Sequence, residues 1–133
     1  MNYVLDASAL IAFLRNEAGA EAVERLLIGA ENACQVHAIN LCEVYYDFLR
    51  SSDEAGADTA IETLTEIGVI IREDMDEAFW KDVARLKAPH RISLADCCCL
   101  ALARRVGGEV VTSDHREFDP LALLNLCPIQ FIR

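Results

Sequence analysis

Along the chain, short runs of consecutive apolar residues alternate with longer stretches in which apolar positions recur every three or four residues. The short runs "NYVL" (2–5), "CQVHAI" (34–39), "GVII" (68–71), "EVVT" (109–112) and "IQFI" (129–132) predict five strands. The longer stretches predict helices over residues 7–14, 17–28, 41–49, 53–67, 76–86, 94–105 and 120–126. Gly107 and Gly108 stop the helix before the fourth strand. Several strands are apolar throughout rather than alternating, which implies burial on both faces. Strands and helices in alternation then predict a three-layer α/β/α sandwich with a mostly parallel central sheet. In such folds ligands gather beyond the carboxyl ends of the strands.

The 133 residues form one expected domain, 1–133, with no linker, repeat or low-complexity tract. The opening "MNYVLDASAL" has no basic stretch followed by an apolar core, and no apolar run approaches a membrane span. These features predict a cytoplasmic protein, whose six cysteines stay reduced. A net charge of −10 argues against a nucleic-acid partner on average. The charge is uneven, however. Nine acids and one base lie between Asp53 and Glu77, whereas seven Lys or Arg face four acids between Lys81 and Arg116. A local polyanion site therefore remains open, with the acidic block read as a solvated helix face.

Four acids fall at strand ends or helix starts that a doubly wound sheet tends to gather on one rim. Asp6 follows the first strand, Glu43 lies in the first turn after the second, Asp96 begins a helix, and Asp114 follows the fourth strand. Each alone has a structural explanation. "NLCE" and "SLAD" resemble capping boxes, Asp119 before Pro120 is a candidate helix cap, and Asp6 and Asp114 fit turns or caps. Capping does not require all four on one rim, nor does it explain why Asp6 and Asp96 lie in strongly apolar sequence. Clustered carboxylates repel one another unless a cation compensates. Oxygen ligands without His or Cys in ligand spacing favour Mg²⁺ or Mn²⁺, ions that activate water and clamp phosphodiesters.

"YVLDASALIAFL", "NLCEVYYDFL", "ISLADCCCLALA" and "VVTSDHREFDPL", in this order and spacing, resemble the PIN-domain ribonucleases. Among these the chain is most similar to the VapC-type toxins of toxin–antitoxin modules. The resemblance spans nearly the whole chain and implies metal-dependent endoribonuclease activity on RNA. It further implies a cognate antitoxin and a homodimer. It places catalytic, metal-binding acids at Asp6, Glu43, Asp96 and Asp114. It assigns Ser8 and Thr112 to supporting hydrogen bonds or phosphate contact, and adds Asp119 as a further acid near the site. The chain departs from the pattern in its three cysteines after Asp96, and in Asn40, where the family often has Ser or Thr and which is expected to serve, like them, in a supporting hydrogen bond at the site. Neither removes a ligand.

A non-catalytic PIN-like module binding RNA or protein is the alternative reading. A receiver-type signalling domain would need an acidic pair after the first strand and a late lysine, yet none follows Lys87. A phosphatase of the haloacid-dehalogenase type would need an aspartate where Ser8 stands. Arg15, Lys87, Arg91 and Arg116 are candidate backbone contacts. His37 is expected in the core, whereas His115, beside Asp114, is the histidine placed to meet substrate. Phe79 and Trp80 are expected in the core. Cys97, Cys98 and Cys99 fan around one helix about 100° apart and cannot converge on an ion, so they are read as small apolar packing.

Overall fold

The computed structural model describes residues 1–133. Its five strands are β1 (Asn2–Leu5), β2 (Ala33–His37), β3 (Ile70–Arg72), β4 (Glu109–Thr112) and β5 (Ile129–Phe131). They form one sheet in the order β3-β2-β1-β4-β5, and every pairing is parallel. Seven helices connect them: α1 (Ala7–Leu14), α2 (Ala20–Ile28), α3 (Ala38–Ser51), α4 (Glu54–Glu66), α5 (Glu77–Lys87), α6 (Leu94–Val106) and α7 (His115–Ala122).

Successive strand residues point to opposite faces, and both faces are covered. Val4 and Val110 join a core with Phe79, Leu86, Leu100, Leu102 and Phe118 from α5, α6 and α7. Their neighbours Leu5 and Val111 join Leu10, Val23, Val44 and Leu64 from α1 to α4. This two-sided burial is why the central strands read as unbroken apolar runs. At the edge the rule lapses: Ile70 and Ile71 of β3 are exposed. No helix is long and apolar enough to cross a membrane.

Helix α6 is buried without a break from Ala95 to Ala103, so its three cysteines pack in the interior. All six cysteines are free thiols. The helix ends at Gly107, whose φ of +65° suits a residue without Cβ. At Gly108 a Cβ would stand 2.4 Å from the carbonyl oxygen of Asn2, so glycine is needed for α6 to return against β1.

Five local expectations need correction. Strand β2 stops at His37, because the His37 ring caps α3 by accepting from the backbone N–H of Ile39. Asn40 is consequently inside α3 and is not its cap. The last helix begins at His115, well before Pro120, because the Asp114 carboxylate already caps it by accepting from Glu117 N–H. Pro120 sits inside that helix and Asp119 caps nothing; residues 123–125 form a turn with Asn125 at φ +52°. Finally, Phe79 is buried as expected, but Trp80 is 48% exposed on α5.

Candidate active site

The chain runs outward from β1 to β3, then returns to place β4 on the other side of β1. The carboxyl ends of β1 and β4 therefore flank the switch in strand order, where open α/β sheets leave a crevice. Asp6 ends β1 and Asp114 follows β4 by two residues.

Asp6 is 2% exposed and tightly held. Its Oδ1 accepts from the Ser8 hydroxyl at 2.7 Å and from Ala9 N–H at 2.9 Å, which also caps α1. Its Oδ2 accepts from the buried Thr112 hydroxyl. That hydroxyl in turn accepts from Asp114 N–H at 2.9 Å, and the Ser8 hydroxyl accepts from Ser113 N–H at 3.0 Å. A carboxylate offers about four lone-pair sites, so these three bonds leave Oδ2 with capacity to bind something else. Burial pushes the Asp6 carboxyl above its ordinary range; the three hydrogen bonds oppose this, and the charge of Asp114 adds to it.

Asp96 enters from the first turn of α6, where the Ser93 hydroxyl caps the helix by accepting from Asp96 N–H. Burial raises its carboxyl to about 7, helped by the charges of Asp6, Glu117 and Glu43. Glu43 comes from α3, half-buried, and is raised by burial and by Asp6 and Asp114, while Asn40 opposes the rise. Asp6, Glu43 and Asp96 thus lie within electrostatic reach of one another, and Asp114 within reach of Asp6 and Glu43. Burial, then the charges of Asp6 and Asp96, pushes the wholly buried Cys99 thiol well above the usual range.

One acid was missed by sequence reasoning. Glu117, in the first turn of α7, has a buried Oε2 with no hydrogen-bond partner, and its charge bears on Asp96. Its position one helical turn beyond Asp114 would have shown that both face the same side. The error in the start of α7 concealed this spacing.

The donor set suits a hard divalent cation. It is oxygen-only, several of its carboxyls raise one another, and it includes an orphaned carboxylate oxygen, a group rarely left unsatisfied. No three of the acids already enclose a single point.

Other candidates lie elsewhere or are already engaged. His115 is bound through Nδ1 to Asp119 at 2.8 Å and through Nε2 to the Arg133 carbonyl at 2.7 Å, and stacks on Phe131. Both acceptors raise its pKa, the carbonyl most. Asp119 and His115 therefore fasten α7 to the last strand. His37 is a satisfied core residue: Nδ1 accepts from Ile39, so Nε2–H donates to the Asp74 carbonyl, and the ring stacks on Phe79. Arg15 is bound to Asp47 and Ser51, and Lys87 to the Ile92 carbonyl. Arg91, just before α6, and Arg116, in the first turn of α7, are exposed.

The parallel sheet with acids at its switch point defines an α/β sandwich with an acidic candidate site. Residues 3–123 match the PIN domain model, and the chain belongs to that family. It is 28% identical over 123 residues to Ribonuclease VapC3 of Pyrobaculum aerophilum, covering 87% of this chain and 92% of that protein. Its fold is similar to that of a chain in the structure of VapBC-1 from nontypeable Haemophilus influenzae, with a TM-score of 0.74 at 20% identity over 99% of this chain and 98% of the other. The Mycobacterium tuberculosis sarcin–ricin-loop-cleaving toxin VapC20 gives a TM-score of 0.70 at 15% identity, covering 89% and 94%.

Proposed function

We propose that this protein is a divalent-cation-dependent endoribonuclease and the toxin of a toxin–antitoxin pair. The observation that carries the reading is the set of Asp6, Glu43, Asp96, Asp114 and Glu117 at the strand-order switch, with Asp6 anchored by Ser8, Thr112 and Ala9. A relative named as a ribonuclease and neighbours named as toxins support the substrate class.

Mg²⁺ or Mn²⁺ is the expected ion, with Asp6, Asp96 and Asp114 as the nearest carboxylates and Glu43 as ligand or water-orienting group. When bound, the ion supplies positive charge for the scissile phosphate and acidity for the attacking water. The protein does the holding. Ser8 and Thr112 keep Asp6 in one orientation, and burial keeps water from screening the acids. Arg91 and Arg116 at the rim suit contact with neighbouring phosphates. Attack of water on phosphorus with cleavage of the P–O3′ bond leaves a 5′-phosphate and a 3′-hydroxyl, so the 2′-hydroxyl of RNA need not react.

The expected partners have surfaces to meet. Ile39, Met75, Trp80 and Leu94 line an apolar groove of 460 Å³ beside the N-termini of α3 and α6, which suits a second copy of the chain. The antitoxin is expected to block the acidic cleft. The cytoplasm, where RNA and an antitoxin are both available, is the expected location. Incubating the isolated protein with RNA, with Mg²⁺ or Mn²⁺ and then with EDTA, tests the activity. Light scattering that gives one chain per particle would contradict the dimer.

A further inference from the structure

Asn40 is wholly buried, although it lies in the first turn of α3, where side chains usually reach solvent. Its Nδ2 donates to the Ala95 carbonyl of α6 at 3.2 Å and stands 3.5 Å from Glu43 Oε1, one turn along its own helix. Both neighbours are acceptors, so the amide can point only this way; the flipped amide would set oxygen against oxygen. Oδ1 is thereby left buried with no partner. It can accept only from an N–H or O–H donor, and a water of a hydrated cation is such a donor.

One carboxamide thus joins two acids carried by different helices. It contacts Glu43 directly, and it grips α6 at Ala95, the residue before Asp96. The hydrogen bond to Glu43 also opposes the rise that burial and the neighbouring acids impose on that carboxyl. A Ser or Thr hydroxyl has one proton to donate, whereas the amide has two. This chain therefore has a link between α6 and Glu43 that a hydroxyl could not supply to both acceptors.

Resting on the reading of the acid cluster as a divalent-cation site, we propose that Asn40 is the positioning residue for Glu43. It holds the Glu43 carboxylate toward the ion and sets its distance from Asp96, as Ser8 and Thr112 hold Asp6.

The test is a double-mutant cycle on Mn²⁺ binding, read by calorimetry and by the Mn²⁺ electron paramagnetic resonance signal, with Asn40→Ala, Glu43→Gln and the pair. Asn40→Ala should weaken Mn²⁺ binding about 10- to 100-fold in the parent, and less than about 2-fold in the Glu43→Gln background. Asn40→Ser, which retains one donor and a smaller volume, should recover part of the loss and covers the case in which Asn40→Ala does not fold. Unchanged affinity in folded Asn40→Ala or Asn40→Ser, or an equal loss in both backgrounds, would overturn the proposal while leaving the cation site standing. Absence of Mn²⁺ binding by the parent protein would overturn the cation site and this proposal with it.

Discussion

The side chains of Thr112 and Asp6 meet across the seam between β1 and β4, and the same Thr112 hydroxyl receives the backbone N–H of Asp114. One buried hydroxyl therefore spaces two acids that belong to distant parts of the chain. Thr112→Val keeps the shape and removes this link. It should lower RNA cleavage about 10- to 100-fold, and it should cost about 1–3 kcal/mol of stability because a buried acceptor on Asp6 loses its donor. Cleavage rates and denaturant unfolding of the two proteins check both parts.

Asp96 gives a pH dependence whose sign is set by its raised carboxyl. Its folded value of about 7 lies above the ordinary 3.8, so the folded state holds a proton that the unfolded state releases. The stability this group contributes is present below the ordinary value and is lost as pH rises through about 7. Without a divalent ion, the melting temperature should fall over this window, and less steeply in Asp96→Asn. Added Mg²⁺ should raise the melting temperature more at about pH 8 than at about pH 5, since a cation binds only the ionised carboxylate. Thermal melts across pH, with and without Mg²⁺, measure this directly.

Glu117→Gln removes one of the mutually repelling charges. The metal-free protein should melt a few degrees higher, because Asp96 loses a neighbour that disfavours its ionised form. Mg²⁺ affinity should fall about 10-fold or more if the orphaned Oε2 serves the ion. The opposed directions separate a functional acid from one that merely packs, and calorimetry with melting curves reads both.

The cysteines provide a prediction about the scaffold. Cys42 is exposed, whereas Cys97, Cys98 and Cys99 are buried, and burial raises the Cys97 thiol to about 11. Since the thiolate is the reactive form, a thiol reagent should label Cys42 within minutes on the native protein and reach residues 97–99 only on unfolding. Mass spectrometry of the labelled peptides locates the modified positions.

What could be read from the residues followed the physics that local sequence carries. Val4-Leu5 and Val110-Val111 are apolar on both sides of their strands, which forecasts a sheet covered on both faces. An acid directly after such a strand, as at Asp6, forecasts a group at the carboxyl rim. The shared seam of β1 and β4 was less accessible, because strand order depends on packing between distant segments. The starts of α3 and α7 were misplaced for a local reason: His37 caps through its ring nitrogen, and Asp114 competes with Asp119 for the cap of α7. The second error hid Glu117 and left Asp119 as the extra acid, whereas in the structure Asp119 turns to His115. The exposure of Trp80 also lay beyond pattern reading, since the helical stripe of α5 that buries Phe79, Val83 and Leu86 leaves the next position facing out.

Binding of a divalent ion by these acids is what RNA hydrolysis requires of the site. The most direct measurement titrates Mg²⁺ into the parent protein and into Asp6→Asn, recording RNA cleavage and ion binding on the same preparations. The parent should cleave RNA in proportion to site occupancy, lose activity in EDTA and leave 5′-phosphate ends, while Asp6→Asn should lose both binding and at least about 100-fold of the cleavage. Cleavage that persists in EDTA, or that Asp6→Asn leaves undiminished, would contradict it.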